Sequence, residues 1–197
     1  MADRILLTKS FVAGKLSAIF RMNNDAAARA TLANLRRGIG HAPGAVPSLW
    51  SITLDGLPEE LISRDGNPTY GEWASYTALT LFALHQQGHS LQTEPMNREG
   101  ISLGKAARKL VKTPEDEARV KRRFDTVLTA DSMAEFATHI RGLIQLLKAG
   151  GIALDYPALA ADLYLLQTDS AKDRVRLRWG QDFCRRFDPN EDENETK

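Results

Sequence analysis

Apolar side chains recur along this chain at three- and four-residue spacing almost everywhere, and alternating Val/Ile/Thr runs of strand length are scarce. The pattern predicts an all-α protein. A first helix is expected over residues 4–22, with Phe11, Leu16, Ile19 and Phe20 at its apolar positions, and a second over residues 25–37, stopped by Gly38 and Gly40. Between residues 41 and 68 glycines and prolines interrupt the chain too often for a long helix. A loop with short helical turns is expected there, pinned to the core by Trp50 and Leu54.

Thr69 followed by Glu72 has the form of a capping box, and the run Trp73, Leu79, Leu81, Phe82, Leu84 marks a third, largely buried helix ending near Gly88. The polar stretch 89–100 is expected to be a flexible connector. Ser102 then caps a short basic helix over residues 103–111. Thr113, Pro114 and Glu115 supply an N-cap, an N1 proline and an acidic first turn for a helix reaching about Leu128. Ser132 with Glu135 opens the next, whose stripe Phe136, Ile140, Leu143, Ile144, Leu147 runs to Gly150 and Gly151. A helix near residues 155–167 uses Leu159, Leu163 and Leu166. The last opens at Ser170 with Asp173 and repeats Val175, Trp179, Phe183, Phe187 on one side. The expected organisation is two helical lobes, 1–112 and 113–187, the second an antiparallel four-helix bundle, followed by a disordered acidic tail over 188–197.

With 197 residues, 43% of them hydrophobic, the chain can bury a core without staples, and its one cysteine excludes an intrachain disulfide. No signal-peptide or membrane-spanning run is present, so a cytoplasmic protein with no membrane partner is expected. The net charge of +1 argues against a nucleic-acid binder until its distribution is considered. Residues 1–40 carry +5, 41–100 carry −5, 101–150 carry +4, and the tail from Asp188 carries −4. Such alternation gives a neutral protein basic and acidic faces.

Catalytic patterns are missing. His85 and His89 have zinc-protease spacing, but Gln86 stands where that helix needs glutamate and Gly88 ends the helix, so no metal and no cofactor are expected. Gly14, Lys15 and Ser17 lack the rest of a phosphate-binding loop. Cys184, between Phe183 and Arg185, is expected to be a small packing residue. Carboxylate pairs such as Glu59/Glu60 and Asp116/Glu117 lie in loops or first helical turns, where the helix dipole accounts for them.

Basic clusters are more informative, because guanidinium forks and lysine stems reach phosphate oxygens without reading bases. Arg36 and Arg37 end the second helix beside a glycine-rich turn. Lys105, Arg108, Lys109 and Lys112 recur at helical spacing, forming a rail along one side. Lys121, Arg122 and Arg123 precede Phe124, and Arg174, Arg176 and Arg178 precede Trp179 at steps that scatter them around a helix. Aromatic residues amount to 7% and sit at core spacing, so phosphate contact rather than base stacking is indicated.

The blocks LANLRRGIGHAPG (32–44), EWASYTALTLFALHQQGH (72–89), SLGKAARKL (102–110), RVKRRFDTVLTADS (119–132), LDYPALAADL (154–163) and RVRLRWGQDF (174–183) occur in this order. In them the chain resembles the CasB family, the small subunit of the type I-E CRISPR surveillance complex called Cascade. The resemblance implies a non-catalytic subunit, usually present as two copies, in the belly of a seahorse-shaped complex around guide RNA. It implies as partners the CRISPR guide RNA, the target and displaced strands of DNA, other Cascade subunits and a second copy of the chain. The role implied is to steady the R-loop, with base pairing reading sequence and protein holding backbones. The family's backbone contacts would fall on Arg36, Arg37, Lys105, Arg108, Lys109, Arg122 and Arg123, with Lys121 from the same cluster and Arg141 as further candidates. Asp55, Glu59, Glu60 and Asp65 could meet a neighbouring subunit. Two rival functions stay open: a helical scaffold whose basic faces bind acidic proteins, and a small metal-dependent nuclease.

Overall fold

Capping and stop signals divide the chain where the sequence places them. In the computed structural model, which describes residues 1–185, nine α-helices form and no strand does among the described residues. They are α1 (Ala2–Phe20), α2 (Asp25–Arg37), α3 (Trp50–Thr53), α4 (Tyr70–His85), α5 (Leu103–Lys109), α6 (Pro114–Leu128), α7 (Met133–Ala149), α8 (Tyr156–Leu166) and α9 (Asp169–Cys184). The Thr69 hydroxyl accepts from the Glu72 N–H at 3.1 Å while the Glu72 carboxylate accepts from the Thr69 N–H at 2.7 Å, the full reciprocal box. Thr113 and Asp116 repeat it on α6. Ser102, Ser132 and Asp155 cap α5, α7 and α8 through their side chains.

Apolar on nearly every side, α4 has fourteen of its sixteen residues buried, as a helix hydrophobic all round must. Helices α1, α2, α7 and α8 surround it. Phe82 lies edge-to-face against both Phe20 and Tyr156, at 5.8 and 5.4 Å between centroids. The His85 Nδ1 lies 2.9 Å from the Tyr156 hydroxyl in a site closed to water. Burial, and secondarily the nearby His89, pulls the His85 pKa down to about 4, so the ring is neutral.

One hydrophobic core runs from Phe11 to Phe183, continuous across the 112/113 junction between α5 and α6. The packing of α8 and α9 extends beyond the antiparallel four-helix bundle expected after residue 113. Helix α8 packs chiefly on α1 and α4, and α9 packs chiefly on α5. The apolar residues of α8 explain the difference: Tyr156, Leu159, Ala160, Leu163 and Tyr164 are all buried, too broad a face for α9 alone to cover. Rings complete the other side, with Phe124 stacked on Phe183 at 5.0 Å and Phe136 tilted against Trp179 at 6.3 Å.

Four local expectations are corrected. Trp50 is 49% exposed, its indole N–H donating to the Gly44 carbonyl, and the fully buried Leu49 pins the loop in its place. Stretch 89–100 is fastened rather than loose. Met96 is buried, its N–H donates to the Gln86 side chain, its carbonyl accepts from Leu154, and the Gly100 N–H donates to Asp155. Helix α9 begins at Asp169, without the Ser170/Asp173 box, because Thr168 turns its hydroxyl back to the Leu165 carbonyl. Cys184 is exposed, and its neighbour Phe183 does the packing. Phe187 and the tail 188–197 lie outside the described residues.

Candidate nucleic-acid interface

Helix α5 separates its two faces cleanly. Leu103, Gly104, Ala106 and Ala107 are buried, and the helical repeat puts Lys105, Arg108 and Lys109 on the opposite side, with Lys112 just beyond the last turn. Gly104 sets how closely this helix approaches α9: a Cβ there would lie 2.1 Å from the Trp179 carbonyl oxygen. Ser102 donates to Asp182 at 2.5 Å and fixes the same contact from the end of the helix. Lys105 reaches back to the Gly100 carbonyl at 3.3 Å, and Arg108 pairs with Glu117 on α6 at 3.2 Å.

On α6, Val120, Phe124 and Val127 face the core, so Arg122 points directly away from it. Lys121 and Arg123 flank it and are also exposed. Lys121 pairs with Asp125 at 2.5 Å, which raises the ammonium pKa. Arg123 lies across Gly142 of α7, its Nη1 3.4 Å from where a Cβ would be. The acidic first turn of α6 stands between the α5 rail and this cluster, and its Asp116 holds Arg119 at 2.6 Å.

A second grouping forms elsewhere. Arg37 is exposed at the end of α2 and leads into residues 38–42, which form one wall of a cleft of about 340 Å³ over α4 and α7. Ala134 and Ala137 line the α7 side, and Arg141 follows one turn later on that face, exposed. Arg36 turns the other way, donating to the Ala83 carbonyl at 3.3 Å and lining a different cleft with Arg29. The nine expected binding residues therefore fall into an α5/α6 group (Lys105, Arg108, Lys109, Lys121, Arg122, Arg123), a cleft pair (Arg37, Arg141) and Arg36 apart.

Of the Arg174–Arg178 cluster, two members serve the fold. Arg176 donates to the Ala130 carbonyl at 3.1 Å. Arg178 bonds the buried Asp162, which also accepts the Trp179 indole N–H at 2.8 Å. Burial raises the Asp162 pKa and Arg178 opposes the rise. The histidines of the zinc-like spacing are likewise structural: His89 bonds the Lys148 carbonyl at 3.0 Å while His85 bonds Tyr156. Among the described residues no group of three or more His, Cys, Asp or Glu could hold a metal ion.

The family model described as CRISPR-associated protein Cse2 matches residues 31–183. The chain belongs to the Cse2 family. The crystal structure of CasB from Thermobifida fusca is similar at 33% identity and a TM-score of 0.74, covering 90% of this chain and 97% of that one. A Cse2-family CRISPR-associated protein from Thermus thermophilus shares the fold at 22% identity and a TM-score of 0.65, covering 87% of this chain and 96% of that one. No curated protein sequence matches significantly. The matched span contains α4, which no charge pattern would have singled out, together with α5, α6 and both arginine-bearing ends of the cleft. Sequence spacing alone missed the cleft, because residues 38–42 and Ala134/Ala137 meet only through tertiary packing.

Proposed function

We propose that this Cse2-family chain is the non-catalytic small subunit of a Cascade-type RNA-guided complex, acting in the cytoplasm. It grips nucleic-acid backbones without reading sequence and so stabilises the R-loop. The observation that carries the reading is the two-sided α5, whose cations occupy the face opposite its buried residues while α9 holds it in place. Phosphates along a strand meet a rail of this kind through charge, and base pairing elsewhere in the assembly supplies the specificity. Guide RNA, both DNA strands, a second copy and the other subunits are its partners in this reading. The resemblance to CasB over 90% of the chain supports that setting.

The test is fluorescence anisotropy of the protein with unrelated duplex and single-stranded oligonucleotides across a salt series, comparing wild type with the Lys105/Arg108/Lys109 triple alanine variant. Contact with about 3 to 5 phosphates on duplex gives a log–log slope of about −2.7 to −4.5, and the variant loses up to about 2.7 of it, roughly 0.9 per cation. A shallow slope in the wild type favours acidic protein partners instead. Cutting of either nucleic acid on adding divalent ions would replace the reading with a nuclease.

A further inference from the structure

The cleft beside Gly38–Ala42 has features the α5 rail lacks. Its floor is the side of α4 that carries Trp73, Tyr76 and Thr77, and its far wall is Ala134 and Ala137 of α7. Its volume of about 340 Å³ lies in the range of small-ligand pockets, with mostly apolar lining and few polar groups. Trp73 is partly exposed and also lines the neighbouring cleft of about 420 Å³ near Tyr70, so its indole forms the partition between the two. Tyr76 and Thr80 spend their hydroxyl protons inside the protein, Tyr76 on the Gly38 carbonyl at 2.9 Å and Thr80 on the carbonyls behind it. The Thr77 hydroxyl has no such bond among the described residues.

Basic side chains neighbour the lining. Arg37 directly precedes the loop wall, His41 lines it, Arg141 stands one turn beyond Ala137, and neither arginine pairs with a carboxylate among the described residues. The adjoining cleft differs, since its Lys172 is matched by Asp169 at 2.9 Å and Asp131 also lines it. An apolar aromatic slot with an arginine beside each of its two walls fits a ligand that is flat and apolar on its faces and anionic along its edge.

We propose that this cleft receives one unstacked base of a single nucleic-acid strand against Trp73, with the adjacent phosphates held by Arg141 and Arg37. The proposal rests on the backbone-gripping function above, adds a preference that the α5 rail cannot provide, and departs from the sequence expectation of no base stacking because Trp73 is partly exposed in the cleft rather than sealed in the core. A duplex keeps its bases stacked inside and presents none to the slot, whereas a single strand offers a base face to any aromatic surface. The cleft therefore makes this subunit discriminate a displaced or unpaired strand from duplex, with little regard to which base is seated.

Ala137→Phe fills the slot from a half-buried helix position and leaves every cation in place. Anisotropy with a single-stranded oligonucleotide and a duplex of equal length is expected to show about a tenfold loss for the single strand, the size of one lost base stack, and less than twofold for the duplex. A thermal melt accompanies it. As a readout on the unaltered protein, a single strand carrying 5-iodouracil is irradiated in the complex and the adduct located by mass spectrometry; it is expected on Trp73. If wild type binds and Ala137→Phe binds the single strand equally well, or if the adduct lies on another aromatic residue, the cleft proposal fails and the rail reading stands. If wild type binds neither nucleic acid, both fail. A parallel loss on both ligands also overturns the cleft, since it reports a disturbed fold rather than a filled slot.

Discussion

Gly104→Ala should damage this protein far more than a one-methyl change suggests. The added Cβ meets the Trp179 carbonyl oxygen at 2.1 Å, the Asp182 Cβ at 2.8 Å and the Trp179 carbonyl carbon at 2.9 Å, and two of these atoms are backbone that cannot rotate aside. Helix α5 must therefore move from α9 by about an ångström, loosening Leu103, Ala106 and Ala107 and stretching the Ser102–Asp182 bond of 2.5 Å. Overpacking of a tight contact costs roughly 1–3 kcal/mol, and a weakened hydrogen bond to a charged group adds roughly 1.5 kcal/mol. A total near 3 kcal/mol lowers Tm by about 6–12 °C in a chain of this size. Gly180, inside α9, is the control: nothing lies within 4 Å of a Cβ there, so Gly180→Ala gains helix propensity of about 0.8–1 kcal/mol and raises Tm by about 2–4 °C. Thermal unfolding followed by circular dichroism measures both. A Gly104→Ala protein melting within about 1 °C of wild type would refute the claim that this glycine sets the α5–α9 distance. The same shift displaces the rail, so the variant should also lose nucleic-acid affinity below its melting range.

The His85 pKa of about 4 lies below the value near 6.5 of an unfolded histidine, so the unfolded chain binds the extra proton and folding is favoured above pH 6.5. That contribution, on the order of 3 kcal/mol, disappears as pH falls from 6.5 to about 4; urea midpoints over this window should drop more steeply for wild type than for His85→Gln, and parallel curves would acquit His85. Glu117→Gln removes the partner of Arg108, so affinity for unrelated oligonucleotides should rise about two- to fivefold at low salt while Tm stays within a degree or two, and unchanged anisotropy would show that the pair does not restrain the rail. Reversing charge at Glu59 and Glu60, both exposed on a short 3-10 turn, should weaken co-purification with the other subunits of a reconstituted complex and leave the free protein's melt unchanged; undiminished assembly would remove this surface as a contact.

Local chemistry was legible wherever the signal was contained within a few residues. The helix starts at Thr69/Glu72 and Thr113/Pro114, and the stripe of α7, depend on i to i+4 relations that the chain states directly. The one-sidedness of α5 was equally visible, since spacing fixes which positions share a face. Less visible was what each helix packs against. Helix α8 looks like a bundle member by length and loop, and its partners α1 and α4 lie far upstream in the chain. The stretch 89–100 looks loose by composition, yet Met96, Asn97 and Gly100 are fastened to Leu154, Tyr156 and Asp155, again distant in sequence. Trp50 was misplaced for a related reason: in a loop without period, size predicts burial poorly, and Leu49 faces inward instead.

A net charge of +1 and the proposed backbone-gripping role become compatible once the ion pairs are placed. Three acidic side chains of α6, Glu117, Asp116 and Asp125, each hold a cation of α5 or α6, Arg108, Arg119 and Lys121. Pairs of this kind, with at least one partner open to water, contribute little to stability because water screens them and both side chains lose freedom in forming them. Exchanging a carboxylate for a phosphate of an incoming strand therefore costs little, and counterion release from the strand adds to the gain. The pairs keep the cations extended and ordered along α5 and α6 beforehand, and they hold down attraction to any stray polyanion. Arg122, Arg37 and Arg141 have no such partner among the described residues, and they are the side chains from which a first, long-range contact would start. Under the proposed function, neutral overall charge would keep a sequence-blind subunit from binding every polyanion, with affinity arising where the rest of an assembly already holds a strand near the rail and the cleft.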